Sequence, residues 1–193
     1  FLEAGNAMTD LDLRTAVWLT AVLVGMMSLV LFLLRNSYPP YVRGITHWAS
    51  ALAIFFVACV LFSKRGVWAD FITIFIANLV MMFGMTLLYF GSRRHFDLSV
   101  APRNWIIFGT VCLAVVTLVP IVSASYQLRS TVLTTYVATV MVLHARVIYK
   151  HGDPIFAYRF TAFVIATEAV ITILRLISFS YDRPDIGLFE NSL

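Results

Sequence analysis

The chain has 193 residues, of which 61% are hydrophobic and 12% are charged, and its mean hydropathy is +0.88. Soluble domains have roughly 45–50% apolar and about 25% charged residues, so one soluble core of this length could not cover so much apolar surface. The net charge of +4 is modest and falls mainly between the apolar blocks, which favours contact with a membrane surface over nucleic acid. We therefore expect an all-α polytopic membrane protein.

The apolar residues form blocks that can be tested by length, because a bilayer core of about 30 Å requires roughly 20 helical residues. Residues 1–7 precede Met8 and are predicted to be an expression-tag remnant. The first block ends before Pro39 and Pro40, which cannot continue a helix, and the fourth has Pro120 near its end. Six spans are predicted, followed by a polar tail at 180–193: 15–34, 45–63, 70–90, 104–125, 129–149 and 155–179.

The distribution of lysine and arginine predicts how the spans are oriented. The loops after the first, third and fifth spans carry more of these residues than the opposite side of the bundle. Since basic loops are retained in the cytoplasm, we expect these odd-numbered loops to be cytoplasmic. The N-terminus and the tail at 180–193 are then external.

Within the sixth span, Glu168 is the ionisable residue that is hardest to explain by packing alone. A charge in mid-membrane costs roughly 2.5–3.5 kcal/mol, so it normally faces the bundle interior with a partner or is neutral. Thr161, Thr172 and Arg175 lie on the same helix face, and these four residues are called the Glu168 stripe below. It is interpreted either as a ligand or proton site or as a structural ion pair or interhelical hydrogen bond.

One narrow face of the third span contains Asn78, Met82, Met85 and Tyr89. An asparagine in a span usually bonds a neighbouring helix, contributing roughly 0.6–2 kcal/mol. The methionines could form a soft-metal thioether site, but adaptable packing is the favoured interpretation. Asn78 and Tyr89 are therefore candidate ligand-binding or signalling residues.

In the fifth span, His144 is a candidate pH-sensitive group. It lies roughly opposite a stripe of Thr131, Thr135, Thr139 and Arg146, whose threonines are interpreted mainly as packing or backbone-bonding residues. No two histidines have the i, i+4 spacing of a helical metal site, and no phosphate-binding glycine loop or Cys-x-x-Cys occurs. No metal site, cofactor or catalytic set is expected, so the chain itself is not predicted to be an enzyme.

Several local patterns between residues 12 and 97 carry a family resemblance. They are the basic, proline-containing loop at 35–44, Trp48-Ala49 opening the second span, Lys64-Arg65-Gly66, Ala77-Asn78-Leu79, and Leu88-Tyr89-Phe90-Gly91-Ser92-Arg93-Arg94. This region resembles the N-terminal membrane-sensor regions that precede GGDEF diguanylate cyclase domains in proteobacterial proteins. The cyclase motif itself does not occur in the chain.

The resemblance implies a dimeric sensor in the bacterial inner membrane that controls synthesis of cyclic di-GMP by a cytoplasmic domain. A cyclase uses cytoplasmic GTP, so an external N-terminus requires an odd number of crossings before the output domain. Six crossings end outside. The resemblance therefore implies a seventh span and an output domain after Leu193.

Our leading expectation is a sensory module in which a stimulus, such as a hydrophobic small molecule entering between helices, shifts the packing of a dimer. The alternative is a small transporter or channel subunit, with the Glu168 stripe lining the path. A membrane enzyme acting on lipid is a third class, but no convergent catalytic set supports it. Small residues on the sixth span, Ala162, Ala166 and Ala169, permit close helix contact within the bundle or between protomers.

Overall fold

The computed structural model describes residues 13–39, 42–69, 71–99, 104–105, 107–109 and 126–181. These residues form helices and turns without a β-strand, apart from one isolated bridge between Arg65 and Trp68. The prediction of an all-α fold is therefore confirmed for the described part of the chain.

Five long helices account for most of the described residues. Helix α1 covers Leu13–Leu34 and α2 covers Ile45–Ser63. A π-helical turn at Phe71–Ile76 leads directly into α3 at Ala77–His95. Helices α4 and α5 cover Tyr126–His151 and Phe156–Tyr181.

All five are long and apolar enough to cross a membrane, which indicates a multi-pass membrane protein. They correspond to the first, second, third, fifth and sixth predicted spans. The predicted fourth span, 104–125, falls mostly outside the described residues, so the count of six is not confirmed. The predicted tag remnant at 1–7 is also outside them, as is 182–193, whereas the first two residues of the predicted tail belong to α5.

Each helix packs against the next one described: α1 on α2, α2 on α3, α3 on α4, and α4 on α5. Small residues make the contacts between the first three helices close. Ala49 of α2 is fully buried, and the Ser28 hydroxyl of α1 donates to its carbonyl at 2.8 Å. At Gly84 of α3, an added Cβ would lie 2.9 Å from the ring of Phe55. Such residues allow helix backbones to approach where the surroundings are apolar.

A buried cluster lies between α3 and α4, and its buried members are Met82, Tyr89, Tyr136, Val140 and Val147. Two aromatic side chains from the helical residues at 104–105 and 107–109 cover it. Trp105 packs on Tyr89 with ring centroids 5.0 Å apart, and Phe108 stacks on Tyr136 at 5.2 Å. The core of the described bundle is therefore aromatic and is centred on the α3–α4 contact.

The outer surfaces of α1 and α5 are apolar and exposed. Leu23 and Leu33 of α1 and Phe156 and Phe163 of α5 are among the most exposed large side chains. In water, apolar patches of this extent would promote association. In a bilayer the same surface faces hydrocarbon, and the helical backbone satisfies its own hydrogen bonds.

Candidate functional site

Buried and half-buried polar side chains from three helices meet near one end of the bundle. Ser92, in the last turns of α3, is 2% exposed, and His144 of α4 is 6% exposed. The Ser92 hydroxyl and His144 Nε2 share a hydrogen bond of 2.6 Å, and Trp48 Nε1, at the start of α2, donates to Ser92 Oγ at 3.2 Å. Because these bonds cross between helices, they fix the relative positions of α2, α3 and α4.

Two glycines create the space for this contact. Gly91 lies directly beneath the Trp48 indole, and an added Cβ there would be 2.6 Å from Trp48 Cδ1. Gly44, just before α2, has a φ of 95° and packs against the Gly91 carbonyl. A positive φ and close backbone approach both favour glycine. The pair therefore lets the start of α2 approach α3 closely enough for Trp48 to reach Ser92.

Tyr89, one turn before Ser92 on α3, and Arg93, the residue after it, extend the site. The Tyr89 ring meets the His144 ring edge-on, with centroids 6.4 Å apart, and Arg93 Nη1 donates to the Tyr89 hydroxyl at 3.0 Å. Arg93 Nη2 donates to the Ser99 carbonyl. Arg93 Nε is buried and has no partner among the described residues. Trp48, Tyr89, Ser92, Arg93 and His144 are called the Ser92 network below.

The chemistry of the Ser92 network depends on the state of His144. A neutral imidazole with its proton on Nδ1 accepts a hydrogen bond at Nε2, whereas an imidazolium donates from both nitrogens. Ser92 can take either role, because a hydroxyl both donates and accepts. Trp48 can only donate. From that Nδ1-protonated neutral form, the direction of the Ser92–His144 bond would reverse if His144 gained a proton, while the Trp48 bond would keep its direction.

A second polar contact joins the loops at the same end of the bundle. His95 Nε2 and the Tyr158 hydroxyl of α5 share a hydrogen bond of 2.9 Å, and His95 Nδ1 lies 3.2 Å from the Arg43 carbonyl. Arg43 and Asp97 form an ion pair across the first and third loops. The segments that follow α1 and α3 therefore lie together with the start of α5. Which side of the membrane they face stays a prediction.

The Glu168 stripe lies elsewhere, on α5. The buried residues Ala162 and Ala169 mark the face of α5 that packs on α4, whereas Glu168 and Arg175 are exposed. The Thr161 hydroxyl donates to the Ala157 carbonyl, and the half-buried Thr172 donates to the Glu168 carbonyl, both at 2.8 Å. These two hydroxyls are thus bonded within their own helix.

The remaining predicted residues fall into two groups. Asn78 is half-buried and donates from Nδ2 to the Ile74 carbonyl at 2.6 Å, so its amide bonds the preceding turn rather than a neighbouring helix. Met82 and Met85 pack in the aromatic core cluster. Tyr89 and His144 are brought together at the Ser92 network. The predicted residues are therefore separated between the network, the core and the α5 surface.

Sequence reasoning missed Trp48, Ser92 and Arg93 as members of one site. Tyr89 and Arg93 are four residues apart, a spacing that places them on one helix face. The adjacent small residues Gly91 and Ser92 were a further signal that another helix approaches there. The partner Trp48 lies 44 positions away from Ser92, and no local pattern connects these two residues.

The comparisons with known proteins add no relative to this description. A scan against protein-family models, a search of curated proteins and a search of solved structures each gave no match.

Proposed function

We propose that this chain is a membrane-embedded sensory module that regulates a C-terminal cytoplasmic output domain, a diguanylate cyclase. Its stimulus would act within the bundle, for example as a hydrophobic small molecule entering between helices. The observation that carries the proposal is the Ser92 network, in which the buried Ser92 of α3 bonds the buried His144 of α4 and the half-buried Trp48 of α2. The output domain is suggested by the sequence resemblance of residues 12–97.

An interhelical network of this kind favours discrete helix arrangements. In an apolar interior, a polar group that loses its partner is costly, so partly separated states are disfavoured. A bundle that can keep or break the bonds of Ser92 therefore has two distinct packings. A stimulus that binds one packing more tightly shifts the population toward it.

The neighbouring His95 contact offers a route from the network to the last described helix. Trp48 packs against the His95 ring, with centroids 5.3 Å apart, and His95 bonds Tyr158 in the first turn of α5. A displacement of α2 against α3 would change the contact between Trp48 and the His95 ring. It would thereby move the side chain that bonds Tyr158. Because α5 leads toward the C-terminus, its displacement would be passed to whatever follows it.

The alternative function, transport or channel activity, depends on the Glu168 stripe lining a path. In the described part of the protein, Glu168 and Arg175 are exposed residues of α5. That position gives transport less support than the sensory function. The Ser92 network is confined to one end of the bundle and does not outline a path across it.

The first experiment is to read the parent gene beyond Leu193 and to express the complete protein in membranes supplied with GTP. We expect a cyclase domain, and we expect Ser92→Ala to change the rate of cyclic di-GMP synthesis. The expected change is about five-fold or more, which corresponds to a shift of about 1 kcal/mol between the two packings. Phe163→Leu, on the exposed face of α5, is the matched control and should leave the rate unchanged.

Two results would contradict the proposal. One is a parent gene without an output domain. The other is a complete protein in which Ser92→Ala and His144→Gln are folded and leave the output unaltered. Solute flux through liposomes that disappears in Glu168→Gln would instead favour the transport function.

A further inference from the structure

The turn between α4 and α5 presents a group of basic side chains around one aromatic ring. Arg146, Tyr149 and Lys150 are exposed and lie on one face at the end of α4, with i, i+3 and i+4 spacing. Arg159 of α5 places its guanidinium 4.4 Å from the centre of the Tyr149 ring. These four residues are called the hairpin patch.

Arg159 is held in place and still has free donor capacity. Its Nη1 donates to the Tyr149 carbonyl at 2.9 Å, which is one of the carbonyls at the end of α4 that has no partner within the helix. A guanidinium carries five N–H donors in a planar fork that suits phosphate oxygens. The contact with Tyr149 therefore orders the Arg159 guanidinium before a ligand binds. Binding then costs little side-chain entropy.

The position of the hairpin patch matches the headgroup level of a bilayer. The candidate spans on either side of the turn are Ser130–His151 and Phe156–Ser178, so Lys150 and Arg159 lie at their ends. Next to Arg159, the exposed rings of Phe156 and Phe160 stack with centroids 5.4 Å apart. Cations thus lie beside an apolar surface. A phospholipid has a matching arrangement, with a charged headgroup next to apolar acyl chains.

The local charge is positive even with the nearby acid included. Asp153 is exposed within the turn, and it opposes the charges of Arg146, Lys150 and Arg159. An anionic headgroup therefore complements the patch, whereas a zwitterionic headgroup gains less from the same cations because its own cation is repelled.

We propose that the hairpin patch binds the phosphate-bearing headgroup of an anionic phospholipid. Arg159 and Lys150 would contact the phosphate, Arg146 would add to the attraction, and the acyl chains would lie along Phe156 and Phe160. The site is independent of the Ser92 network and of any output domain.

The test is native mass spectrometry of the whole chain released from detergent containing equal amounts of phosphatidylglycerol and phosphatidylcholine. Wild type is expected to retain phosphatidylglycerol about ten-fold better. The triple variant Arg146→Gln, Lys150→Gln, Arg159→Gln should lose that preference. The matched control, Lys64→Gln with Arg65→Gln, removes two cations after α2 and should retain it.

If the triple variant does not fold, Lys150→Gln alone tests the same point. Among the described contacts, none of Lys150 supports the helices. We expect this variant to lose about two- to five-fold of the preference for phosphatidylglycerol. Equal retention of the two lipids by wild type, or an equal loss of preference in the control, would overturn the proposal. Displacement of phosphatidylglycerol by millimolar inorganic phosphate would also overturn it, since the site would then take a free anion.

Discussion

The Ser92 network and the Glu168 stripe are both sets of polar residues within membrane-spanning helices, yet the structure places them in opposite surroundings. Ser92 and His144 are almost completely buried and bond across helices. Glu168 is exposed, and the threonine hydroxyls near it bond their own helix. Polar residues at helical spacing can therefore be assigned to one helix face from the sequence. Whether that face bonds other helices depends on how the neighbouring helices pack.

This difference has an energetic consequence that can be measured. Removing a buried polar group leaves its partner unsatisfied in apolar surroundings, which costs free energy. Removing an exposed hydroxyl that bonds its own helix leaves little behind. Substitutions in the Ser92 network should therefore lower the free energy of unfolding more than matched substitutions on α5.

The largest effect is expected at the glycine that allows Trp48 to reach Ser92. Gly91→Ala would place a methyl group 2.6 Å from Trp48 Cδ1, so the indole or α2 must shift. We expect a loss of about 2–3 kcal/mol, at the upper end for overpacking, measured as the free energy of unfolding in detergent micelles.

Gly109→Ala is the matched control for this substitution. No described residue lies within 4 Å of a Cβ added at Gly109, and alanine favours a helix over glycine by roughly 0.5–1 kcal/mol. It should be neutral or slightly stabilising. If Gly91→Ala proved as harmless as Gly109→Ala, the close approach of α2 to α3 would be wrong.

The second prediction compares two hydroxyls directly. Ser92→Ala removes the shared partner of Trp48 and His144, and we expect it to cost about 1–2 kcal/mol because the buried His144 and the half-buried Trp48 each lose a hydrogen bond. Thr161→Ala removes an exposed hydroxyl of the Glu168 stripe and should cost less than about 0.5 kcal/mol. Both are measured by the same unfolding experiment. Equal losses would mean that α5 is covered as completely as α3.

Much of the fold could be predicted from the sequence, because length and hydropathy alone define membrane-spanning helices. Five predicted spans match helices of the structure, with ends that differ by a few residues. The third helix extends to His95, beyond the predicted end at Phe90, and the basic segment Arg93-Arg94 is part of it. Charged residues end a span in hydrocarbon, but they do not end a helix.

The candidate site could be predicted only in part. Tyr89 and His144 were identified as polar residues in their own spans, and the structure brings them within one network. The other members of the network could not be predicted, because the contact of Trp48 with Ser92 depends on how α2 packs against α3. Asn78 illustrates the same limit, since its amide bonds the Ile74 carbonyl within the same segment instead of crossing to another helix.

The third prediction tests the exposed ionisable residue itself. Glu168→Gln keeps the size of the side chain and removes its charge, and the side chain is exposed in mid-helix. We expect the free energy of unfolding to change by no more than about 0.5 kcal/mol, as for other exposed sites. A loss as large as that of Ser92→Ala would show that the Glu168 carboxylate is bonded in the native assembly, and the contrast between the two regions would disappear.

The smallest effect is expected where charged residues meet outside the helices. The ion pair of Arg43 and Asp97 joins the first and third loops, but the two side chains are 58% and 70% exposed. Solvent screens such a pair, so the coupling energy in a double-mutant cycle of Arg43→Gln and Asp97→Asn should be about 0.2–0.5 kcal/mol. High salt should reduce it further. This pair lies near the Ser92 network but is exposed to solvent. A coupling energy above about 1 kcal/mol would therefore show that polar contacts at this end of the bundle are strong because of their location and not because they are buried.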